Sequence, residues 1–182
     1  MLGKDDSLHL FMLHLSAEFN MECLLAYIEF TQYQTFVLQN MELDIDEGLY
    51  HLVSLPNNLP ISSIVAYSPI IEHSRAIEME DQSEDYDLKI KARHLFAKYL
   101  CPGCEYECNI SGRLRSKSVR MFKNRNELLL DKSITVKDMF LLFEDVKNEL
   151  VRFLHPSFYA FKHTPNWQVV TELLREDSEA SL

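Results

Sequence analysis

The sequence predicts an all-α fold, and three observations lead to this prediction. Only four glycines occur among 182 residues, too few for a turn-rich β fold or for glycine-rich loops that bind nucleotide phosphates. Apolar residues make up 47% of the chain, as in globular proteins with a hydrophobic core. These residues recur at helical spacing in several separate segments. We therefore expect one helical domain over residues 1–182.

Two helices are predicted in the first forty residues. The first covers residues 8–18, and its inward side is formed by Leu10, Phe11 and Leu15. The second covers residues 20–38, with apolar positions near helical spacing at Leu24, Tyr27, Phe30 (or Thr31), Tyr33 and Val37.

A long acidic insertion is predicted at about residues 40–87. Residues 42–87 contain eleven acids and one base, Arg75, which accounts for the whole formal charge of −10. Pro56, Pro60 and Pro69 interrupt any helix there. Because the rest of the chain is neutral, we expect no nucleic-acid binding, which requires a net basic surface.

Helices resume after the insertion. A helix over 88–100 has Leu88, Ala92, Leu95 (with Phe96) and Tyr99 on one side, and Pro102 with Gly103 ends it. Ser111 is predicted to cap the next helix, over 113–122.

A long helix is then predicted over 136–154. It carries its apolar side chains at Met139, Leu142, Phe143, Val146, Leu150 and Phe153. Pro156 and Pro165 are expected to separate two short final helices, around 157–162 and 166–175, and residues 176–182 are expected to fray.

A cytoplasmic location is expected from three features of the sequence. No stretch approaches the roughly 20 apolar residues that span a bilayer. Asp5 and Asp6 precede the apolar segment 8–15, where a signal peptide would carry positive charge. The four cysteines are then expected to be reduced thiols, and the sequon Asn109-Ile-Ser111 is expected to be unused.

Two stretches of the chain carry a resemblance to a known family. Leu15-Ser-Ala-Glu-Phe-Asn-Met-Glu-Cys-Leu-Leu-Ala-Tyr27 and the segment from Lys91 to Ile110 resemble the regulator of G-protein signalling (RGS) homology domain. Arg115, Phe143 and the segments Pro156–Phe161 and Lys162–Trp167 follow in the order of that family. The resemblance covers residues 8–38 and 88–174.

The resemblance implies a fold and an activity. The fold is an antiparallel four-helix bundle from 20–38, 88–100, 113–122 and 136–154, with the terminal helices packed beside it. The partner is the α subunit of a heterotrimeric G protein, and the activity is acceleration of GTP hydrolysis on that subunit. Such a module is a GTPase activator without its own active site, cofactor or metal. We expect a cytoplasmic monomer that is recruited to the inner face of the plasma membrane.

The resemblance also assigns site residues. Asn109 takes the place of the amide that reaches the mobile switch segments of Gα, and an amide suits this role because it donates and accepts hydrogen bonds without charge. Glu22, Phe153 and Ser157 match other contacts in the family. Three positions of the Gα interface depart from the pattern. Cys23 occupies a position where the family usually has an asparagine. Pro156 replaces an aspartate of the family pattern, and Ala160 replaces an arginine.

These departures favour a second hypothesis, an RGS-type scaffold for protein interactions without GTPase-activating activity. From local sequence alone, Asn109 is also typical of an ordinary turn amide that bonds its own backbone.

Two further features have open alternatives. Cys101-Pro-Gly-Cys104, with Cys108 and His94, is a candidate zinc knuckle or redox pair, or simply a turn lined with thiols. The run Arg113–Arg125 contains six bases and no acid, which suits contact with anionic lipid headgroups, with the acidic insertion or with solvent.

Overall fold

A computed structural model describes residues 5–40, 84–122 and 134–180 of the protein, and most of these residues are helical. No strand occurs among these residues, so the all-α prediction is confirmed. The helices are α1 (Asp5–Ala17), α2 (Met21–Asn40), α3 (Glu84–Leu95), α4 (Gly112–Met121), α5 (Val136–Phe161) and α6 (Pro165–Ala180).

Most of the predicted acidic insertion lies outside the described residues. Its second predicted edge was wrong, because α3 begins at Glu84 instead of residue 88, while α2 ends at Asn40, where the insertion was predicted to begin. The first turn of α3 has the sequence Glu84-Asp-Tyr-Asp87, and acidic residues are favoured where a helix presents its free N–H groups. Part of the acidic sequence therefore starts a helix.

The helix α3 ends in a π turn. This turn covers Phe96–Leu100, and the Cys101 N–H donates to the Phe96 carbonyl at 2.9 Å, five residues back. Cys101 then becomes extended (φ −72°, ψ 128°). Pro102 explains this ending, because a proline disfavours helical geometry in the residue before it.

Side-chain caps begin the next two helices. The predicted cap of α4 is confirmed, since the Ser111 hydroxyl accepts a hydrogen bond from the Leu114 N–H at 3.5 Å. Thr135 and Asp138 form a reciprocal capping box at the start of α5. The hydrogen bonds from Thr135 lower the pKa of the Asp138 carboxyl.

The core is centred on α2 and α5, which pack along each other. Phe30 of α2 stacks on Phe143 of α5 with ring centroids 4.5 Å apart, and Tyr33 meets the same ring edge-on. Tyr99 from the π turn packs edge-on against Phe30 at 5.7 Å. The helix α3 contacts both α2 and α5, α4 contacts α5, and α1 contacts α2, α5 and α6.

A buried polar network crosses the α2–α5 interface. The Lys147 ammonium lies 3.0 Å from Glu144 Oε2, and both side chains are buried. Gln34 of α2 donates to the same carboxylate oxygen at 3.2 Å, and Asn148 donates to its other oxygen at 3.3 Å. Burial lowers the pKa of Lys147, while the nearby Glu144 partly opposes this effect.

The helix α5 passes through Pro156 without ending, so the predicted helix boundary at this proline was wrong. Pro156 has no N–H to donate to the Arg152 carbonyl, and both residues are exposed. Phe161, in the last turn, is fully buried against Phe11 and Trp167, with centroids 5.3 and 6.0 Å away. This burial stabilises the helix beyond the proline. The final helix was also predicted too short, since α6 reaches Ala180.

Candidate partner-binding site

The turn that carries Asn109 folds back on the helix before it. Gly103 adopts a positive φ of 76°, which glycine allows without steric penalty, and its N–H donates to Glu107 Oε2 at 2.7 Å. The Cys108 N–H donates to the Tyr99 carbonyl at 2.9 Å. Asn109 is exposed between two buried neighbours, Cys108 and Ile110.

Arg115 of α4 holds this turn from one side. Its guanidinium donates to the Cys108 carbonyl at 2.8 Å and forms an ion pair with Glu107 at 2.6 Å. On the other side of Asn109, Ser111 donates to the Glu149 carboxylate of α5. The backbone around Asn109 is therefore fixed at both ends. Within the described ranges the amide group of Asn109 has no hydrogen-bond partner, so it remains available to a bound protein.

The first turn of α2 lies against the same turn. The Cys108 thiol is 3.6 Å from the Glu22 carbonyl, and Glu22 itself is half-buried. Cys23 is buried and directly follows Glu22. The turn that carries Asn109 and the first turn of α2, which carries Glu22, are therefore neighbours. The buried side chain of Cys23 is covered from a partner.

The pKa values of the Cys23 and Cys108 thiols are shifted in opposite directions. The hydrogen bond from Cys108 lowers the pKa of the Cys23 thiol, with burial as an opposing effect. The same hydrogen bond raises the pKa of the Cys108 thiol, and burial raises it further. The Cys108 thiol donates to the Glu22 carbonyl at 3.6 Å and to the Tyr106 carbonyl at 3.8 Å.

The four predicted residues on α5 divide into exposed and buried positions. Phe153 is 37% exposed, and Pro156 and Ala160 are exposed as well. Ser157 is buried, where its hydroxyl accepts from Asn20 at 3.4 Å and its carbonyl contacts the His14 ring at 3.2 Å. Phe153, Pro156 and Ala160 can contact a partner directly, whereas Ser157 joins α5 to the connection between α1 and α2.

Phe19 is a candidate contact that the sequence analysis missed. It follows α1 and has a positive φ of 56°, and its side chain is 87% exposed. The Asn20 N–H donates to the Leu15 carbonyl at 3.0 Å, five residues back, as in the Schellman motif. That motif usually places glycine where Phe19 stands. The sequence contains no signal for the positive φ, but an aromatic residue between the polar Glu18 and Asn20 at the end of a helix is a signal for an exposed contact.

We define the junction surface as the exposed or half-buried residues that these contacts connect: Phe19, Glu22, Asn109, Phe153, Pro156 and Ala160. Phe153 lies one helical turn after Glu149. The Glu149 carboxylate accepts a hydrogen bond from Ser111, which follows Asn109 by two residues in the sequence. Pro156 and Ala160 lie within one helical turn of Ser157. The Ser157 hydroxyl accepts a hydrogen bond from Asn20, which directly follows Phe19. The junction surface contains an amide, a carboxylate and several apolar groups, so it is suited to binding a protein surface.

The zinc hypothesis finds no cluster to support it in the described part of the chain. There, no three His, Cys, Asp or Glu side chains come together in a way that could hold a metal ion. The Cys108 thiol contacts two backbone carbonyls, those of Glu22 at 3.6 Å and Tyr106 at 3.8 Å.

Several basic side chains of the run Arg113–Arg125 form contacts within the protein. Besides the internal role of Arg115, Lys117 forms an ion pair with Asp145 at 2.7 Å, and Arg120 donates to the Ser116 carbonyl at 3.2 Å. Residues 123–125 of the run lie outside the described ranges. None of the helices in those ranges is long and apolar enough to cross a membrane.

We compared the chain with known protein families, with curated proteins and with solved structures, and found no match in any of the three comparisons. The geometry of the junction surface is therefore the main structural basis for a functional proposal.

Proposed function

We propose that this chain is a regulator of heterotrimeric G-protein signalling that binds the switch regions of Gα and accelerates GTP hydrolysis. In this proposal the helices form an RGS-type bundle, and the junction surface is the Gα interface. The protein acts as a cytoplasmic monomer at the inner face of the plasma membrane. It has no active site of its own, because the Gα subunit supplies the catalytic arginine in cis.

One observation carries the proposal. The Asn109 amide is exposed on a turn whose backbone is fixed by Arg115 and Glu149, and the first turn of α2 with Glu22 lies beside it. A polar group on a fixed backbone loses little conformational entropy when it binds. This low entropic cost suits Asn109 for holding a mobile segment of another protein in one arrangement.

The mechanism follows from differential binding. An activator accelerates hydrolysis only if it binds the transition state of the Gα–GTP complex more tightly than the ground state. Asn109 can donate to and accept from groups of the switch segments at once, which favours their hydrolysis-competent arrangement. Ordering these segments before the reaction also removes an entropic cost from the barrier.

Single-turnover GTP hydrolysis by purified Gα subunits, with and without the chain, tests the proposal. We expect a faster rate at unchanged nucleotide affinity. A rate unaffected by saturating amounts of the chain, across the major Gα classes, would refute GTPase-activating activity.

A second candidate is an RGS-type scaffold that binds protein without accelerating hydrolysis. Ser157, matched to a polar contact with Gα, is buried against Asn20 and His14, and Pro156 and Ala160 offer no charge beside it. This half of the junction surface is more apolar than the family pattern implies.

Capture of Gα by the immobilised chain distinguishes the two candidates. Gα is presented with GDP, with GDP and aluminium fluoride, and with a GTP analogue. Preference for the aluminium fluoride state, which resembles the transition state, supports the activator. Equal capture in all three states supports the scaffold.

A further inference from the structure

A cavity of about 180 Å³ lies between α1, α2 and the turn that carries Asn109. Its apolar walls are formed by Met12 and Leu13 of α1 and by Met21 and Leu25 of α2. Tyr106 contributes an aromatic ring from the turn. Three helical or loop elements therefore enclose one space that is mainly apolar.

The cavity is open to solvent on the side of α1. His9, Leu13 and Ser16 line it, and all three residues are exposed on that helix. A small molecule can therefore enter without unfolding of the core.

A buried ion pair supplies the polar part of the lining. The Lys98 ammonium lies 2.6 Å from Glu29 Oε1, and the two side chains are only 8% and 11% exposed. Lys98 Nζ also lies 5.6 Å from the centroid of the Tyr106 ring, a cation–π distance. An apolar cavity with a few fixed polar groups is the usual composition of a site for small molecules.

The volume and the walls select the body of the ligand. An apolar cavity of about 150 Å³ holds one benzene molecule, so this cavity has room for one ring with a small substituent. The thioether sulfurs of Met12 and Met21 favour an aromatic ring, because contacts between sulfur and aromatic rings are attractive.

The ion pair selects the polar group of the ligand. A cationic group would be repelled by Lys98, and an anionic group would be repelled by Glu29. The Glu29 carboxylate accepts from Lys98 through Oε1, and a carboxylate has about four acceptor sites. A neutral hydroxyl group can therefore donate to Glu29 without adding a charge, and hydrogen bonds to a charged acceptor are among the stronger ones.

We propose that this cavity binds a small neutral phenol, a single aromatic ring that carries one hydroxyl group. The ring lies between Met12 and Met21, and the hydroxyl donates to Glu29. The ligand joins α1, α2 and the Asn109 turn. The residues of the junction surface are outside the lining, so this site goes beyond the proposed Gα interface and its test needs no Gα.

The test is titration of the purified chain with p-cresol, followed by NMR of the methionine methyl groups after ¹³C labelling. We expect saturable binding that shifts the signals of Met12 and Met21. Met121 and Met139, which do not line the cavity, are internal controls and should not shift. Toluene has the same ring and methyl group without the hydroxyl. It should bind at least about tenfold more weakly, because it cannot donate to Glu29.

Ser16→Trp places an indole ring at the mouth of the cavity and should weaken p-cresol binding at least about tenfold. The matched control is Ser116→Trp, an exposed serine of α4 that does not line the cavity, and it should bind as wild type does. Far-UV circular dichroism confirms the fold of both variants.

Four results would overturn the proposal. These are the absence of saturable p-cresol binding, equal binding of toluene, equal shifts of Met121 and Met139, and tighter binding of N-acetyltyrosinamide than of p-cresol. The last result would assign the cavity to a tyrosine side chain of another protein. Because all four are measured on the wild-type chain, the outcome does not depend on the folding of any variant.

Discussion

Glu149 of α5 accepts two hydrogen bonds from Ser111, one from the backbone N–H and one from the hydroxyl, whose oxygen is 2.9 Å from Oε2. Ser111 also caps α4 through the Leu114 N–H. A single carboxylate therefore connects the start of α4, the Asn109 turn and helix α5.

Glu149→Ala should destabilise the protein and loosen the Asn109 turn. We expect the free energy of unfolding to fall by about 1–3 kcal/mol, since a charged acceptor is removed from two donors. The matched control is Asp145→Ala, one turn earlier on α5, which removes an exposed ion pair with Lys117 and should cost about 0–1 kcal/mol. Urea denaturation of both variants measures the difference. Equal losses would show that the contact between Ser111 and Glu149 has no special role.

Asn109→Ala should abolish most of the proposed acceleration of GTP hydrolysis while leaving the fold intact. The side chain is exposed and makes no hydrogen bond within the described parts of the protein, so its removal should change stability by less than about 0.5 kcal/mol. Loss of a positioned polar contact to the transition state should reduce the acceleration by about 100-fold or more.

The control for this variant is Asn166→Ala, an exposed asparagine in the first turn of α6. Single-turnover hydrolysis and thermal unfolding are measured for both. Undiminished acceleration by Asn109→Ala would remove this residue from the mechanism.

Phe19→Gly should stabilise the protein and weaken its binding to Gα. Glycine adopts the positive φ of this position without the steric penalty of a side chain, so we expect about 1 kcal/mol of added stability. The substitution also removes an apolar side chain that is 87% exposed on the junction surface. Thermal unfolding and Gα capture give the two results.

Val169→Ala, an exposed position on α6, serves as the binding control for this variant. If Phe19→Gly binds Gα as tightly as wild type, Phe19 lies outside the interface.

Removal of Glu144 should be far more harmful than removal of Lys147. Glu144→Leu leaves the Lys147 ammonium buried without its counter-ion, and loss of one partner of a buried pair costs about 3–5 kcal/mol. Lys147→Met leaves the carboxylate with donors from Gln34 and Asn148, so it should cost much less. Chemical denaturation of both variants tests this asymmetry, which similar losses would contradict.

The lowered pKa of Lys147 also predicts a pH dependence. Between that pKa and the ordinary value of 10.5, the unfolded chain binds more protons at this residue than the folded protein. The free energy of unfolding of wild type, relative to Lys147→Met, should therefore rise as pH increases through this window. Unfolding at several alkaline pH values measures the trend, with Val151→Met on the same helix as a non-titrating control. A falling or flat difference would mean that burial does not lower this pKa.

Local chemistry explains what could be predicted from the sequence. The Ser111 cap and the inward side of α5 up to Leu150 follow from hydroxyl capping and helical spacing, which depend on neighbours in the chain. Pro156 was misjudged because its effect depends on the burial of Phe161 against α1, which is a tertiary contact.

The site itself depends mostly on distant pairs. That Ser157 faces Asn20, and that Ser111 faces Glu149, cannot be derived from spacing along the chain. The strained conformation of Phe19 is equally hidden, since phenylalanine gives no local signal for a positive φ.

The π turn at Phe96–Leu100 sets the direction in which the Asn109 turn leaves its helix. A π turn holds one residue more than an α turn, so it rotates everything that follows by about one residue position around the helix axis. After this rotation Tyr99 and Leu100 are buried in the core, and the chain leaves the helix at Cys101. The additional residue of the π turn therefore sets the angle between helix α3 and the loop that carries Asn109. A chain one residue shorter here would keep the same loop sequence but aim it toward a different side of the protein.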